Sequence, residues 1–163
     1  MSCEEYNRIH WEKFLNLGGL DLCLYDEHEW SWSGLGDPVL HIELRKWADV
    51  VVVAPASADI MAKAANGIAD NLLLCVLRAW DTSKPSVMCP AMNTLMLRHP
   101  SMDTHMGTLR AFGWRFIESA VKALACGEAG NGALASVDTI VSTTRGIAGE
   151  MSLQAVYSPE RIE

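Results

Sequence analysis

Three side chains suited to proton transfer or carboxylate binding lie well apart in the sequence: His41, Asn93 and Cys126. An imidazole titrates near neutrality and could serve as a general base, although a solvated histidine beside Arg45 fits the same pattern. The Asn93 amide could bind a carboxylate or a carbonyl, or satisfy its own turn. Cys126 stands in a glycine-rich segment suited to a flap over a ligand, yet a lone loop cysteine is more often inert. Taken singly, these residues leave both interpretations open.

The first half of the chain alternates helical and extended patterns around these residues. Asp37-Pro38 predicts the start of a helix carrying His41, because a capping side chain precedes a proline at the first helical position. The β-branched run over residues 49–54 predicts a strand buried on both faces. A single helix of about four turns is then expected to reach Leu74 or beyond.

The second half repeats the alternation. Residues 86–89 predict a second strand, residues 102–112 a helix, and residues 114–117 a third strand. The glycines and alanines of residues 123–135 predict a mobile or closely packed loop. A final helix is expected from the Ser136 cap to about Gly149.

Strand–helix alternation of this kind predicts an α/β fold with a parallel sheet. In such sheets ligands bind outside the carboxyl ends of the strands. The loops at Pro55-Ala56 and Pro90-Ala91 follow two of the predicted strands and are expected at that edge. Residues 1–149 are predicted to form one domain, and residues 150–163 a disordered tail.

The net charge, the length of the apolar runs and the cysteine spacing limit the partners and the cellular compartment that are expected for this chain. The chain has 163 residues and a formal charge of −7, so no general attraction to nucleic acid or anionic membranes is expected. Its longest apolar run, over residues 50–58, is too short to span a bilayer, and Glu4 and Glu5 argue against a signal peptide. The cysteines are odd in number and form no CxxC pair. Reduced thiols in the cytoplasm are therefore expected, with no disulfide framework and no metal site.

Several motifs occur together in one order and resemble the eukaryotic phosphopantothenoylcysteine decarboxylases, members of the homo-oligomeric flavin-containing cysteine decarboxylase family. The resemblance extends from about residue 24 to residue 145. It rests on the following segments: Asp37-Pro-Val-Leu-His41-Ile-Glu-Leu-Arg45-Lys-Trp-Ala-Asp49, Asp70-Asn-Leu-Leu73, Arg78-Ala-Trp-Asp81, Pro90-Ala-Met-Asn-Thr-Leu-Met96, Leu124-Ala-Cys-Gly127 and Gly130-Asn-Gly-Ala133.

The resemblance implies a flavodoxin-like or Rossmann-like fold and FMN-dependent loss of carbon dioxide from 4′-phosphopantothenoylcysteine, which gives 4′-phosphopantetheine for coenzyme A biosynthesis. It also implies a homotrimer with sites between subunits. By the same resemblance His41 is the acid–base residue, Asn93 holds the substrate carboxylate, and the flap residue Cys126 completes reduction and protonation. The implied contacts are Ala125 and Leu134 with substrate, and Ser57, Ala58, Asp59, Ile60 and Ala91 with FMN.

The sequence departs from the family pattern at several points. It has no counterpart of the usual first strand and its Gly-Ser-Val-Ala type turn, so an N-terminally truncated fold is expected. Asp59-Ile60 replaces the usual Asn-Thr of the flavin loop, which predicts weaker FMN binding through like-charge repulsion. These departures keep two alternatives open. One is a non-catalytic regulatory relative, such as a protein phosphatase inhibitory subunit or a partner in a mixed trimer, and the other is a fragment without function of its own.

Overall fold

The computed structural model describes residues 23–123 and 129–156, which form a parallel sheet with helices on both faces and a separate antiparallel hairpin. This confirms the predicted α/β fold. The elements are α1 (Asp26–Glu29), α2 (Leu40–Trp47), β1 (Val51–Ala56), α3 (Ala58–Ala65), α4 (Leu72–Arg78), β2 (Ser86–Pro90), α5 (Thr94–Leu97), α6 (Pro100–Ala111), β3 (Arg115–Phe116), β4 (Ala120–Ala123), β5 (Ala129–Ala133) and α7 (Val137–Val156).

The sheet has the order β1-β2-β3, with both strand pairs parallel. Every residue of β2 is buried, as a central strand between two helical layers requires. In β1, Val53 and Ala56 are buried, but Ala54 and Pro55 are exposed. The prediction that this strand is buried on both faces is therefore wrong, because β1 is the edge strand of the sheet that the structure describes.

Each face of the sheet has its own apolar core. On one face, Met61 of α3 and Met102 and Leu109 of α6 pack against Val53 and Met88. On the other face, α7 packs through Ile147 in a cluster that consists of Val87, Cys89, Ile117, Ala135 and Ile147. The long α7 thus covers the face opposite α3 and α6.

Lys84, two residues before β2, fixes the direction of α2. Its Nζ donates hydrogen bonds to the carbonyls of Arg45, Lys46 and Ala48, at 3.2, 3.2 and 2.8 Å. A cation is favoured there because the last carbonyls of a helix lack intrahelical partners and carry partial negative charge. The C-terminus of α2 is therefore anchored near the amino ends of the strands, and its first turn, with His41, points towards their carboxyl ends.

The predicted start of α2 is wrong by two residues. The helix begins at Leu40 after Val39, and neither Asp37 nor Pro38 belongs to its first turn. The Asp37 carboxylate instead accepts hydrogen bonds from the Ser33 amide and hydroxyl and from the Gly34 amide, at 2.8, 2.9 and 3.0 Å. Local bonding to the preceding turn has thus outcompeted the capping role.

The single helix predicted after β1 is two helices, α3 and α4. The break falls at Gly67, whose φ of +70° is left-handed and favours glycine. Asn71 then starts α4, where its side chain accepts a hydrogen bond from the Leu74 amide at 2.8 Å. Apolar periodicity continues across the break, so the pattern alone did not reveal the turn.

Differences from the predicted elements also occur in the last third of the chain. The third strand is confirmed but covers only Arg115–Phe116, and part of the predicted loop 123–135 is the strand β5. Ser136 caps α7 as predicted, its hydroxyl accepting from the Thr139 amide at 3.1 Å. The helix then continues beyond Gly149 to Val156. Residues 157–163 lie outside the described part of the chain, where the disordered tail stays a prediction.

None of the helices within residues 23–123 and 129–156 combines the length and the apolar character needed to cross a membrane.

Candidate functional site

The segments that follow β1 and β2 meet at the carboxyl edge of the sheet, as predicted, but Pro55, Ala56 and Pro90 belong to the strands and not to the loops. Ala56 is paired with Pro90, and the Ala91 amide donates to the Ala56 carbonyl at 3.1 Å. Ser57 follows directly and caps α3, its hydroxyl accepting from the Ile60 amide at 3.2 Å. The N-terminus of α3 presents amide donors at this edge, and such donors favour an anion such as a phosphate.

The other residues predicted to line FMN face different surroundings. Ala58 and Ile60 pack against the core cluster on the α3 face of the sheet. Asp59 is 65% exposed, and its carboxylate forms an ion pair with Lys63 at 3.2 Å. Lys63 also pairs with Asp70 at 3.0 Å, and hydrogen bonds to Asp70 and then Asp59 raise the pKa of its ammonium group. The negative charge of Asp59 is thus partly compensated by a neighbouring cation.

Asn93 follows β2 by three residues and caps α5. Its Oδ1 accepts a hydrogen bond from the Leu95 amide at 2.8 Å, so the turn-forming interpretation of this residue is realised in the structure. The cap also fixes the direction of the side chain. An amide carries an NH₂ donor beside this acceptor, and that donor is the group suited to a carboxylate.

The hairpin β4–β5 docks on the Met92-Asn93 segment. The Met92 amide donates to the Gly132 carbonyl at 2.9 Å, and a Cβ at Gly132 would overlap the Met92 carbonyl oxygen. Leu134, predicted to contact substrate, is half-buried against the core on the α7 face. Ala125 and Cys126 belong to residues 124–128, which follow β4 and precede β5 in sequence and lie outside the described residues.

His41 lies in a separate group of ionisable side chains. Its side chain is only 23% exposed, and Nδ1 contacts Oε1 of Glu29, which is 3% exposed. Oε2 of Glu29 accepts from the His41 backbone amide at 3.1 Å. The solvated histidine considered from the sequence is therefore not what the structure shows. Sequence reasoning missed Glu29, because nothing in the spacing of residues 29 and 41 indicates contact.

Cys75 completes this group. The thiol, the His41 imidazole and the Glu29 carboxylate place one potential metal ligand each within 4.8 Å of one another. Burial, followed by the charges of Glu29, Asp26 and Asp70, raises the pKa of the Cys75 thiol. A neutral thiol is a poor metal ligand, since metals bind the thiolate. The expectation of no metal at this protein's site stays a prediction.

The predicted residues thus fall into two groups, one around Ser57, Ala91 and Asn93 and one around His41. A groove of about 980 Å³ contains neither group. It lies at the opposite edge of the sheet, beside the helix C-termini and the first residue of β2, and is lined by residues such as Asn66, Arg78, Phe112 and Trp114.

Comparison with known proteins gives the family. The sequence profile of the Flavoprotein family matches residues 5–149. This chain belongs to the Flavoprotein family. A phosphopantothenoylcysteine decarboxylase HAL3b of Glycine max is 54% identical over 127 residues, which are 77% of this chain and 59% of that protein. A phosphopantothenoylcysteine decarboxylase of Mus musculus is 50% identical over 123 residues, 75% of this chain and 60% of that protein.

Comparison with solved structures also gives matches to proteins of this kind. A cysteine-to-serine mutant of PPC decarboxylase complexed with pantothenoylaminoethenethiol is 52% identical, with a TM-score of 0.74 over 75% of this chain and 68% of that one. The FMN binding protein AtHal3 is 53% identical, with a TM-score of 0.69 over 75% of this chain and 66% of that one. The flavodoxin-like fold and the sequence resemblance are confirmed. The chain spans about three-fifths of the length of the curated relatives it matches.

Proposed function

We propose that this Flavoprotein family member takes part in FMN-dependent decarboxylation of 4′-phosphopantothenoylcysteine to 4′-phosphopantetheine. The observation that carries the proposal is its 54% identity over 127 residues to a phosphopantothenoylcysteine decarboxylase. Support also comes from its likeness to a solved PPC decarboxylase complexed with pantothenoylaminoethenethiol. The thiols of Cys75 and Cys89, both free in the structure, agree with a cytoplasmic location, which we include in the proposal.

The carboxyl edge of the sheet offers groups that fit a flavin nucleotide. Ser57 and the first amides of α3 would hold the phosphate or ring oxygens, and the backbone around Ala91 lies beside them. Ala58 and Ile60 would contribute through their backbone, because their side chains pack into the core. Asp59 would face the flavin with its charge partly compensated by Lys63.

When bound, FMN would supply the two-electron chemistry that gives the departing carboxylate an electron acceptor. The chain's own residues would bind the substrate and transfer protons to and from it. The Asn93 amide would hold the substrate carboxylate, and the His41 imidazole would accept or return a proton at Nε2, since Nδ1 contacts Glu29. Cys126, with Ala125 and Leu134 near the substrate, would supply a proton when the enethiol intermediate is reduced to product with electrons held by the flavin.

The assembly proposed is a homotrimer, or a mixed trimer with a related chain, in which sites lie between subunits. Support for it comes from apolar side chains that are exposed in the single chain near both groups of site residues. They are Trp30, Trp32 and Leu35 before α2, and Leu95 and Met96 in α5.

The experiment measures FMN binding by fluorescence quenching and carbon dioxide release from 4′-phosphopantothenoylcysteine. His41→Asn should abolish carbon dioxide release with the fold and bound flavin retained. Cys126→Ser should still release carbon dioxide but accumulate the enethiol intermediate, detected by mass spectrometry after a single turnover.

Absence of both FMN binding and turnover would contradict the enzymatic proposal. The regulatory alternative is favoured by Asp59, which replaces a neutral amide in the flavin loop. It would be supported if the same inactive chain assembled into trimers with a catalytic relative. Near-full decarboxylation by His41→Asn would remove this residue from the mechanism.

A further inference from the structure

Glu29 is a buried carboxylate, and within the described part of the chain both of its oxygens are directed to one residue, His41. Glu29 is 3% exposed, Oε2 accepts from the His41 backbone amide at 3.1 Å, and Oε1 contacts His41 Nδ1. A buried carboxylate without partners would be costly, so this two-point contact is what makes the position of Glu29 tenable. The same contact holds the imidazole relative to the backbone of α2.

The contact between Glu29 and His41 is also favoured electrostatically, because it lies at the N-terminus of α2. α2 has no side-chain cap from its own N-cap residue, Val39. Glu29 supplies the missing acceptor from twelve residues earlier and places negative charge at the helix N-terminus, where charge of that sign is favoured. Asp26, in the same short helix, accepts from the Leu72 amide at the start of α4. The short α1 therefore ties its carboxylates to the first turns of two helices.

Contact through Nδ1 determines which ring nitrogen can exchange protons. A carboxylate only accepts hydrogen bonds, so it favours the proton on Nδ1 and leaves Nε2 with the lone pair in the neutral imidazole. The Cys75 thiol beside the pair carries no competing charge at neutral pH, because burial and then the neighbouring acids raise its pKa.

We propose that Glu29 is a positioning residue that fixes the Nδ1–H tautomer and ring orientation of His41, so that Nε2 is the atom that handles the proton in the reaction. This inference rests on the proposed function for the role of His41, but the pairing itself does not depend on turnover. A contact of merely structural value would hold α2 in place, and its loss in a folded variant would not change kcat.

The variant Glu29→Gln, made in the full chain, separates the capping of α2 from the selection of the His41 tautomer. The Gln oxygen can still accept from the His41 amide, which preserves the helix cap, while its NH₂ group must donate to Nδ1 and so favours the Nε2–H tautomer. Long-range ¹H–¹⁵N correlation spectra, recorded about two pH units above the ordinary imidazole pKa of roughly 6.5, report the tautomer directly. The His41 signals are assigned by their loss in His41→Asn.

The wild-type chain should show Nδ1–H and Glu29→Gln should show Nε2–H. Turnover by Glu29→Gln should fall about a hundredfold or more in kcat, with KM changed less than about twofold. Glu29→Asp keeps a carboxylate and should retain the Nδ1–H tautomer and recover part of the rate. Glu27 is an exposed acid in the same helix, so Glu27→Gln is the matched control and should change neither the His41 tautomer nor kcat.

An Nε2–H tautomer in the wild-type chain would overturn the proposal, even if Glu29→Gln failed to fold. An unchanged tautomer with unchanged kcat in a folded Glu29→Gln would also overturn it. Full turnover by His41→Asn would instead contradict the proposed role of His41, while the tautomer spectra would still decide the pairing.

Discussion

At the scale of single residues, the closest approach of two backbone segments in the candidate site occurs at Gly132, where no side chain would fit. Gly132 brings the hairpin β4–β5 against the Met92 carbonyl, and its own carbonyl accepts from the Met92 amide at 2.9 Å. The two halves of this contact hold strand β5 against the backbone of Met92, next to Asn93. A side chain at this position therefore tests whether the hairpin is anchored here.

Gly132→Ala should destabilise the protein by about 1–3 kcal/mol, because the new methyl group overlaps a backbone oxygen that must move. Urea unfolding measures the change. Gly107→Ala, the same substitution in the middle of α6, meets no atom within 4 Å and should stabilise by up to about 1 kcal/mol through helix propensity. Equal effects of the two substitutions would show that the hairpin does not depend on close approach at Gly132.

At the scale of elements, α2 is held at both ends by residues from other parts of the chain. Glu29 binds its first turn and Lys84 its last carbonyls. The orientation of His41 therefore depends on contacts between residues that are 12 and 36–39 positions apart in sequence. An eight-residue helix has little stability of its own, so such contacts contribute much of what keeps it formed.

Lys84→Met should lower the free energy of unfolding by about 1.5–3 kcal/mol, since it removes the charged donor to three carbonyls while keeping an apolar stem beside Trp80. Lys46→Met is the control, because its ion pair with Glu43 is exposed and should contribute less than about 1 kcal/mol. Thermal unfolding followed by circular dichroism measures both. A loss no greater than that of the control would contradict the anchoring role of Lys84.

At the scale of the whole molecule, the described chain leaves apolar side chains exposed beside both groups of site residues. Leu95 is 75% exposed and directly follows the Asn93 segment, while Trp30 and Trp32 follow Glu29. Single exposed apolar residues are ordinary, and others lie elsewhere on the described surface, but those beside the candidate site residues would be covered in the proposed interface between subunits.

Leu95→Asp should dissociate the proposed trimer, because an interface cannot accommodate a buried, unpaired carboxylate. Sedimentation velocity at micromolar concentration measures the state. Ile68→Asp, at the opposite edge of the sheet, is the control and should leave the assembly intact. A wild-type chain that sediments as a monomer would contradict the proposed assembly, as would an Ile68→Asp variant that dissociates while Leu95→Asp does not.

The sequence by itself determined the α/β class, the strands at residues 51–56 and 86–90 in outline, and the loops that follow them. It could do so because apolar periodicity, proline and capping residues act over a few positions. The same local signals placed Ser57 and Asn93 at the carboxyl edge of the sheet, since parallel strands bring their ends together. Ser136 was likewise correctly predicted to cap the last helix.

Only the tertiary structure decided which distant groups meet. Asp37 bonds to the preceding turn rather than capping α2, and Gly67 adopts a left-handed conformation that divides one apolar pattern into two helices. The partnership of Glu29 with His41 depends on how α1 packs beside α2 and α4, and no sequence spacing encodes that distance. The physical reason is the same in each case: local propensity acts within a few residues, whereas burial and hydrogen bonding are satisfied by whichever groups the packed fold brings together.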